Sequence, residues 1–493
     1  MSAVPASLER RALSLGTANA IDYGLQFLLP IVLTRTLDPH SFGQYRLLWL
    51  AVSTLMLVTP MCMAPSLYYF LPRSDRPTQR VYVNQTLVFL VGAGIVSAWA
   101  VSTWNPLIPR SLADVAAGHG PVVPAFALAW IFASMLDVLP TAEERVGWQA
   151  KAIVGLSALR AVTLSAVAIA TRELYPVLWA LLGVTVVKGA LLLWYVASHH
   201  GLGGPIARRD TFGAQVRQAA PFALSGALHG VRQQADQWIA AALFSVAMFA
   251  SFSIATVLAP LVQIFRQSVN NVFLPSMSRL QSTGDVKGML GLNNRANAMV
   301  ALLAYPLLAF AFVFAEPLIS LVYTRAYLDA VPVLRIYSVG LVAFVVELTS
   351  ILFVLKQGPF AARVNGLVLL YSVPLSWFCA VRWGLQGAAM GSVAAIYGER
   401  LLSLSRIARL TGTSVVRLQN WSTLAGILAA AAMSAAASGA VLSRLELAPL
   451  ARLAAGALFV AVLYVPALLL TGQRHELADF LSALRARGAG TAA

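Results

Sequence analysis

The stretch ALHGVRQQADQWIAAALF, residues 227–244, lies inside a long apolar segment yet holds His229, Arg232, Gln233, Gln234, Asp236 and Gln237. Whether it crosses a membrane decides the fold. A charge at the centre of a bilayer costs at least ~2.5–3.5 kcal/mol, and a bundle interior or a water-filled cavity relieves that cost. Helical spacing places Ser225, His229, Arg232, Gln233 and Asp236 on one face. A spanning helix here must turn that face away from lipid. The bland alternative is that Arg232 and Asp236, at i and i+4, only neutralise each other in a packed bundle.

The composition of the whole chain favours the membrane. Of 493 residues, 59% are hydrophobic and 11% are charged, with a mean hydropathy of +0.75. A soluble domain carries about 25% charged residues, so too few are present to cover a soluble surface of this size. The net charge of +16 is explained by Lys and Arg collecting in cytoplasmic loops, with no need of nucleic acid as a partner. Two cysteines, Cys62 and Cys379, and six histidines make no disulfide framework and no metal-ligand spacing. No phosphate-binding loop and no nucleophile motif occurs, so neither a cofactor nor a catalytic group is expected. Arg10 and Arg11 precede an apolar run without a small-residue cleavage pattern, which reads as a first spanning helix rather than a removed signal.

Spans of about 20 mostly apolar residues number about fourteen. They run over 12–37, 43–71, 82–104, 121–141, 148–170, 174–197, 218–243, 247–275, 290–315, 329–355, 361–381, 385–409, 421–442 and 449–471. The runs are continuous rather than alternating, so the class is all-α, not a barrel. Alternating the segments from an inside N-terminus puts most of the Arg and Lys in inside loops, which sets both termini in the cytoplasm. The inside loop containing HHGLGGPIARRD separates two six-helix halves of similar hydropathic pattern. Gln26 and Gln233 fall at the same offset in the two halves. The expected organisation is an N-terminal lobe over 1–200, a cytoplasmic linker over 201–217, a C-terminal lobe over 218–412, and two further helices with a cytoplasmic tail over 413–493. Repeated halves are common in transporters.

Four stretches and their order carry a resemblance. RTLDPHSFGQYRLLW (35–49), FLPSMSRLQSTGDVKGML (273–290), AEPLISLVYTRAYLDAVPVLRIYSV (315–339) and, beside them, WGLQGAAMGSVAA (383–395) make the chain similar to the polysaccharide-biosynthesis flippases of the multidrug/oligosaccharidyl-lipid/polysaccharide exporter superfamily. Thr324 stands where that family often has glycine. The resemblance implies a MATE-like arrangement of two six-helix lobes forming a V-shaped cavity, lined by helices 1, 2, 7 and 8.

Polar stripes fall on three of those helices. Asn19, Asp22 and Gln26 share a face of the first span, and Gln263, Arg266, Gln267 and Asn270 share one of the eighth. The candidate substrate contacts are Arg232, Arg266, Gln233, Gln263, Asn270, Asn19 and Gln26. The candidate proton carriers are Asp22, Asp236 and Glu347. Arg266 has no acidic residue within a turn of its own helix. Arg160 and Lys188 lie mid-helix, where they either line a lumen or pair across helices with Asp137. Gly384, Gly387 and Gly391 read as close helix packing. Pro60, Pro65 and Pro260 read as bends.

The function expected is transport without catalysis. A polyprenyl-diphosphate-linked oligosaccharide, as in O-antigen or exopolysaccharide biosynthesis, would be flipped from the cytoplasmic to the outer leaflet of a bacterial inner membrane by alternating access. Arginine suits the diphosphate, and Gln and Asn suit sugar hydroxyls. Membrane lipids are the other expected contact, with glycan-export or polymerisation proteins as further candidates. The rival reading is a multidrug or small-cation exporter of the same superfamily.

Overall fold

The computed structural model describes residues 6–201, 203–476 and 478. The start of the expected first lobe (1–5) and most of the expected cytoplasmic tail, with Arg485 and Arg487, lie outside the described residues. Among the described residues all regular structure is helical. The chain divides into two compact units, Met1–Ala250 and Ser251–Ala493.

The first unit holds α1 (Ala6–Thr36), α2 (Pro39–Val58), α3 (Met63–Phe70), α4 (Arg76–Ala100), α5 (Arg110–His119), α6 (Val122–Ala133), α7 (Leu139–Ala142), α8 (Val146–Thr171), α9 (Leu174–His199) and α10 (Arg209–Leu243). The division falls within α11 (Val246–Ala255). The second unit goes on with α12 (Leu258–Ser282), α13 (Val286–Val313), α14 (Ala315–Val322), α15 (Ala330–Phe344), α16 (Thr349–Val354), α17 (Gly358–Thr411), α18 (Val415–Leu418), α19 (Trp421–Leu442) and α20 (Pro449–Leu470).

Ten of these helical segments are long and apolar enough to cross a membrane, or eleven if the bent pair α2–α3 is one span. The chain is therefore a multi-pass membrane protein. Buried Leu90, Ile131, Met135, Leu192 and Tyr195 form a core in the first unit. Phe314, Ala435, Leu442 and Val460 form one in the second. Large apolar side chains also face outward, Leu370 at 74% and Leu470 at 84% exposed among them, which water would penalise and lipid does not.

The helix breaks have local causes. The α2–α3 pair bends by 42° around Pro60, which cannot donate to the helical ladder. The turn at Thr256–Val257 likewise precedes Pro260, which sits in the first turn of α12. In α17 the backbone leaves the helix at Trp383 and Gly384 and folds back on itself. Gly384 has φ +65°. A Cβ on Gly387 would lie 1.8 Å from the Cys379 carbonyl oxygen, and one on Gly391 would lie 2.3 Å from the Ser376 Cα. Gly387 and Gly391 pack closely inside this hairpin as expected, whereas Gly384 has nothing within 4 Å of a Cβ and serves the positive φ of the turn instead.

Thr324, the departure from the family pattern, adopts φ +138°. That region belongs to glycine and costs other residues ~1–3 kcal/mol. Glycine would also loosen the unfolded chain, offsetting ~0.4–1 kcal/mol. Thr324→Gly is thus expected to stabilise the protein by ~1 kcal/mol. Thermal unfolding in detergent checks this, and an unchanged or lower midpoint counts against it.

At one end of the first unit, Glu143 accepts hydrogen bonds from Tyr195 and His200 and lies 3.9 Å from Arg145. Burial alone raises a carboxyl, but the bonds from His200 and Tyr195 outweigh it and hold Glu143 below the ordinary range. A depressed carboxylate pKa contributes stability above the unfolded value of ~4.3, and that contribution fades as pH falls through the lower folded-state value. Glu143→Gln is expected to lower the unfolding midpoint at pH 7 and to narrow its difference from wild type in acid. A difference independent of pH would contradict the assignment.

Candidate functional site

The first unit contains a polar cavity of about 360 Å³ built from α1, α2, α6, α8 and α9. Asn19, Asp22 and Gln26, the stripe read on the first span, all line it. Asp22 is held by Ser157 of α8 at 2.5 Å and by Gln26 at 2.7 Å. On the other elements, Asp137 accepts from Lys188 Nζ at 2.7 Å. Lys188 Nζ also lies 5.1 Å from the centre of the Trp130 ring. Trp130 and Trp49 meet edge to face at 4.9 Å. Arg160 Cζ stands 5.8 Å from the centre of Trp49.

A second cavity, about 260 Å³, adds Arg46, Ser53, Gln234 and Gln237 and shares Gln26, Trp49 and Arg160 with the first. Arg160 thus borders both. Among the described residues it has neither a hydrogen bond nor an ion pair. Its neighbours in the lining are already engaged: Lys188 by Asp137, and Asp22 by Ser157 and Gln26. What the arrangement offers a ligand is the Arg160 guanidinium fork beside that of Arg46, two indoles and a set of amides and hydroxyls. A guanidinium can bond two oxygens of a phosphate at once, and it cannot lose its proton to escape the low dielectric.

The opening stretch contributes through Gln234, Gln237 and Trp238 rather than through the candidates Arg232, Gln233 and Asp236. Gln234 bonds Thr54 at 2.5 Å and Ser53 at 3.1 Å, and Trp238 donates to Thr54 at 2.9 Å. These face α2. At 3.6 residues per turn, Arg232 and Asp236 lie on the opposite side of α10, and Gln233 lies on its flank, about 100° from Gln234. Gln233 is exposed, Arg232 half-buried and Asp236 buried. None of the three is in the lining of either cavity.

The stripe on α12 belongs to a separate cluster in the second unit. Arg266 Nε pairs with Glu347 at 3.1 Å, and its Nη2 donates to Gln263 at 2.6 Å. Its guanidinium sits 3.9 Å from the centre of the Phe344 ring. Glu347 lies in the unwound link between α15 and α16. It accepts from the Ser350 amide at 3.0 Å, and its own amide donates to Asn297 at 2.9 Å. Asn270 accepts from Ser350 at 2.6 Å. Both charged residues are buried. The acid that Arg266 lacks on its own helix is supplied from the α15–α16 link, where spacing along one helix cannot reveal it.

The sequence profile of a family described as polysaccharide biosynthesis protein matches residues 32–332. The chain belongs to that family. Its fold is that of the transporters of the MOP superfamily. It resembles the lipid II flippase MurJ in an inward closed conformation, at 12% identity and a TM-score of 0.67 over 91% of this chain and 97% of that one. It also resembles an inward-facing multidrug resistance MATE family transporter, at 14% identity and a TM-score of 0.62 over 79% and 96%. A third likeness is to a MOP superfamily transporter from Pyrococcus furiosus whose binding pocket is described as reversed in polarity, at 14% identity and a TM-score of 0.52 over 81% and 95%. No curated protein matches the chain by sequence.

Proposed function

We propose that this protein flips a polyprenyl-diphosphate-linked oligosaccharide from the cytoplasmic to the outer leaflet of a bacterial inner membrane, serving O-antigen or exopolysaccharide synthesis. Fourteen crossings are proposed, with both termini in the cytoplasm. The ten apolar helical segments are joined in this count by the α2–α3 pair, by α1, by α10 and by the second half of α17. The barrier to transfer is the diphosphate and the sugar hydroxyls, since the lipid tail can stay in the bilayer. A wet polar cavity lowers that barrier by replacing lost water contacts.

The single observation that carries this reading is Arg160, a cation with neither a hydrogen bond nor an ion pair among the described residues, bordering both cavities of the first unit. It receives a phosphate, while Asn19, Gln26, Gln234 and Gln237 serve hydroxyls and Trp49 and Trp130 offer flat apolar faces. Arg232, from the other face of α10, and Gln233, from its flank, remain proposed contacts. Arg266, with Gln263 and Asn270, is proposed to hold the α15–α16 link through Glu347. Asp22 is the proposed proton carrier, because its hydrogen bond to Ser157 ties α1 to α8 and would be altered by protonation. Asp236 and Glu347 are further proton candidates.

A small-cation exporter would need a carboxylate free to meet its ligand. The acids of the larger cavity already hold donors, which favours the flippase. The test is export in cells lacking the gene. Loss should strand the lipid-linked oligosaccharide on the cytoplasmic leaflet and remove surface glycan, and re-expression should restore it. Unchanged surface glycan together with lost drug efflux would overturn the proposal in favour of the exporter.

A further inference from the structure

A third cavity, in the second unit, has no place in the transport reading. It measures about 320 Å³ and lies among α13, the N-terminus of α19 and Glu476. Its polar lining is Asn294, Arg295, Gln419, Asn420, Thr423 and Glu476. Arg295 and Glu476 bring opposite charges that offset each other. Asn420 caps α19, accepting from Thr423 N at 3.4 Å. The first turn of a helix carries unpaired N–H groups and a partial positive charge, which suits an anion.

A helix terminus alone would not make a site, but the side chains beside it point the same way. Gln419 is 3% exposed. Its Oε1 accepts from Asn297 at 3.0 Å, while its Nε2 has no partner among the described residues. Asn294 Oδ1, also in the lining, has none among the described residues. A buried polar group without a partner costs ~1–3 kcal/mol, so two such groups on one cavity call for an occupant. One is an unused donor and the other an unused acceptor. A phosphate oxygen can accept from Gln419 and the α19 N-terminus, and a P–OH or hydroxyl can donate to Asn294. The volume holds roughly ten waters at ~30 Å³ each, more than a bare phosphate fills.

We propose that this cavity binds a phosphoryl group carried on a small hydroxylated moiety, such as a glycerol phosphate, at a site distinct from the transport cavities. The same chemistry is offered by an anionic phospholipid headgroup and by a soluble phosphate ester. Binding has a route to the helix break. Gln419 bonds Asn297, and Asn297 Oδ1 accepts from the Glu347 amide in the α15–α16 link. An occupant that fixes the Gln419 amide therefore steadies the link that carries the Arg266–Glu347 pair.

The test uses the full-length protein in phosphatidylcholine nanodiscs, with inorganic phosphate and glycerol 3-phosphate as soluble probes and phosphatidylglycerol nanodiscs as the lipid probe. Thermal unfolding should shift upward with at least one probe, saturably. Asn294→Leu removes no bond made within the protein, and Gln419→Leu removes the buried donor. Each should weaken half-saturation about tenfold or more. Arg160→Gln, which lies in the transport cavities, should keep the wild-type shift, so this site and the transport reading fail separately. A shift in phosphatidylglycerol alone assigns the headgroup as ligand, and a shift with soluble esters alone assigns a metabolite. No shift with any probe, or an equal shift in Asn294→Leu and Gln419→Leu, would overturn the proposal.

Discussion

Replacing Arg160 by glutamine is expected to cut transport of the lipid-linked oligosaccharide about 10- to 100-fold while leaving folded protein at wild-type levels. The size follows from losing a hydrogen-bonded contact to a charged group, ~1.5–3 kcal/mol. The sparing of the fold follows from Arg160 having no hydrogen bond or ion pair to lose among the described residues. Arg160→Lys keeps the charge but not the two-pronged geometry, and is expected to retain part of the activity. Lys188→Gln makes the contrast, because it breaks an ion pair within the protein, to Asp137 at 2.7 Å, and is expected to lower protein yield slightly as well as flux. Flux per folded protein separates the two effects. Equal loss per folded protein in Arg160→Gln and Lys188→Gln would mean that Arg160 is no more than one charge among several.

The second large effect concerns Arg266 and Glu347. Removing either partner of a buried pair leaves the other charge uncompensated, at ~3–5 kcal/mol. Arg266→Ala and Glu347→Gln should each yield little folded protein. Replacing both together by apolar residues of similar volume, Arg266→Met with Glu347→Leu, should recover most of the yield, since paired removal is often neutral. The recovered double variant then answers a functional question. Transport near wild type would make the pair structural. Folded protein that does not transport would return Arg266 or Glu347 to the machinery. If the double variant folds no better than the singles, the pairing of Arg266 and Glu347 is not what holds the α15–α16 link.

The fold was legible because a membrane imposes a coarse rule that local sequence obeys. Each long apolar run became helix, Pro60 and Pro260 lie at or beside helix breaks, and Thr324 occupies the backbone conformation that glycine would normally take there. The polar stripe Asn19, Asp22 and Gln26 was legible for the same reason, since helical spacing alone puts it on one face, and that face lines a cavity. What spacing could not supply was a partner on another helix. Arg266 looked unopposed because Glu347 is far along the chain, in a break with neither Pro nor Gly to announce it. Arg160 read, with Lys188, as a mid-helix cation that would line a lumen or pair with Asp137. Its place beside Trp49, and the pairing that takes Lys188 but leaves Arg160, exist only in three dimensions. On α10 the charges drew attention to one side, whereas the amides Gln234 and Gln237 face the cavity. A polar residue beside small hydroxylated partners such as Ser53 and Thr54 gives a weaker signal than an arginine does.

The most direct measurement is leaflet transfer in proteoliposomes. A labelled polyprenyl-diphosphate oligosaccharide is placed in both leaflets, and the fraction reached by a membrane-impermeant quencher is followed over time. Wild-type protein should bring the inner pool to the quencher, Arg160→Gln should do so at least about tenfold more slowly, and a labelled cationic dye should not be moved. Transfer no faster than in protein-free liposomes, or equal transfer by wild type and Arg160→Gln, would contradict a phosphate-reading cavity in the first unit as the path of transport.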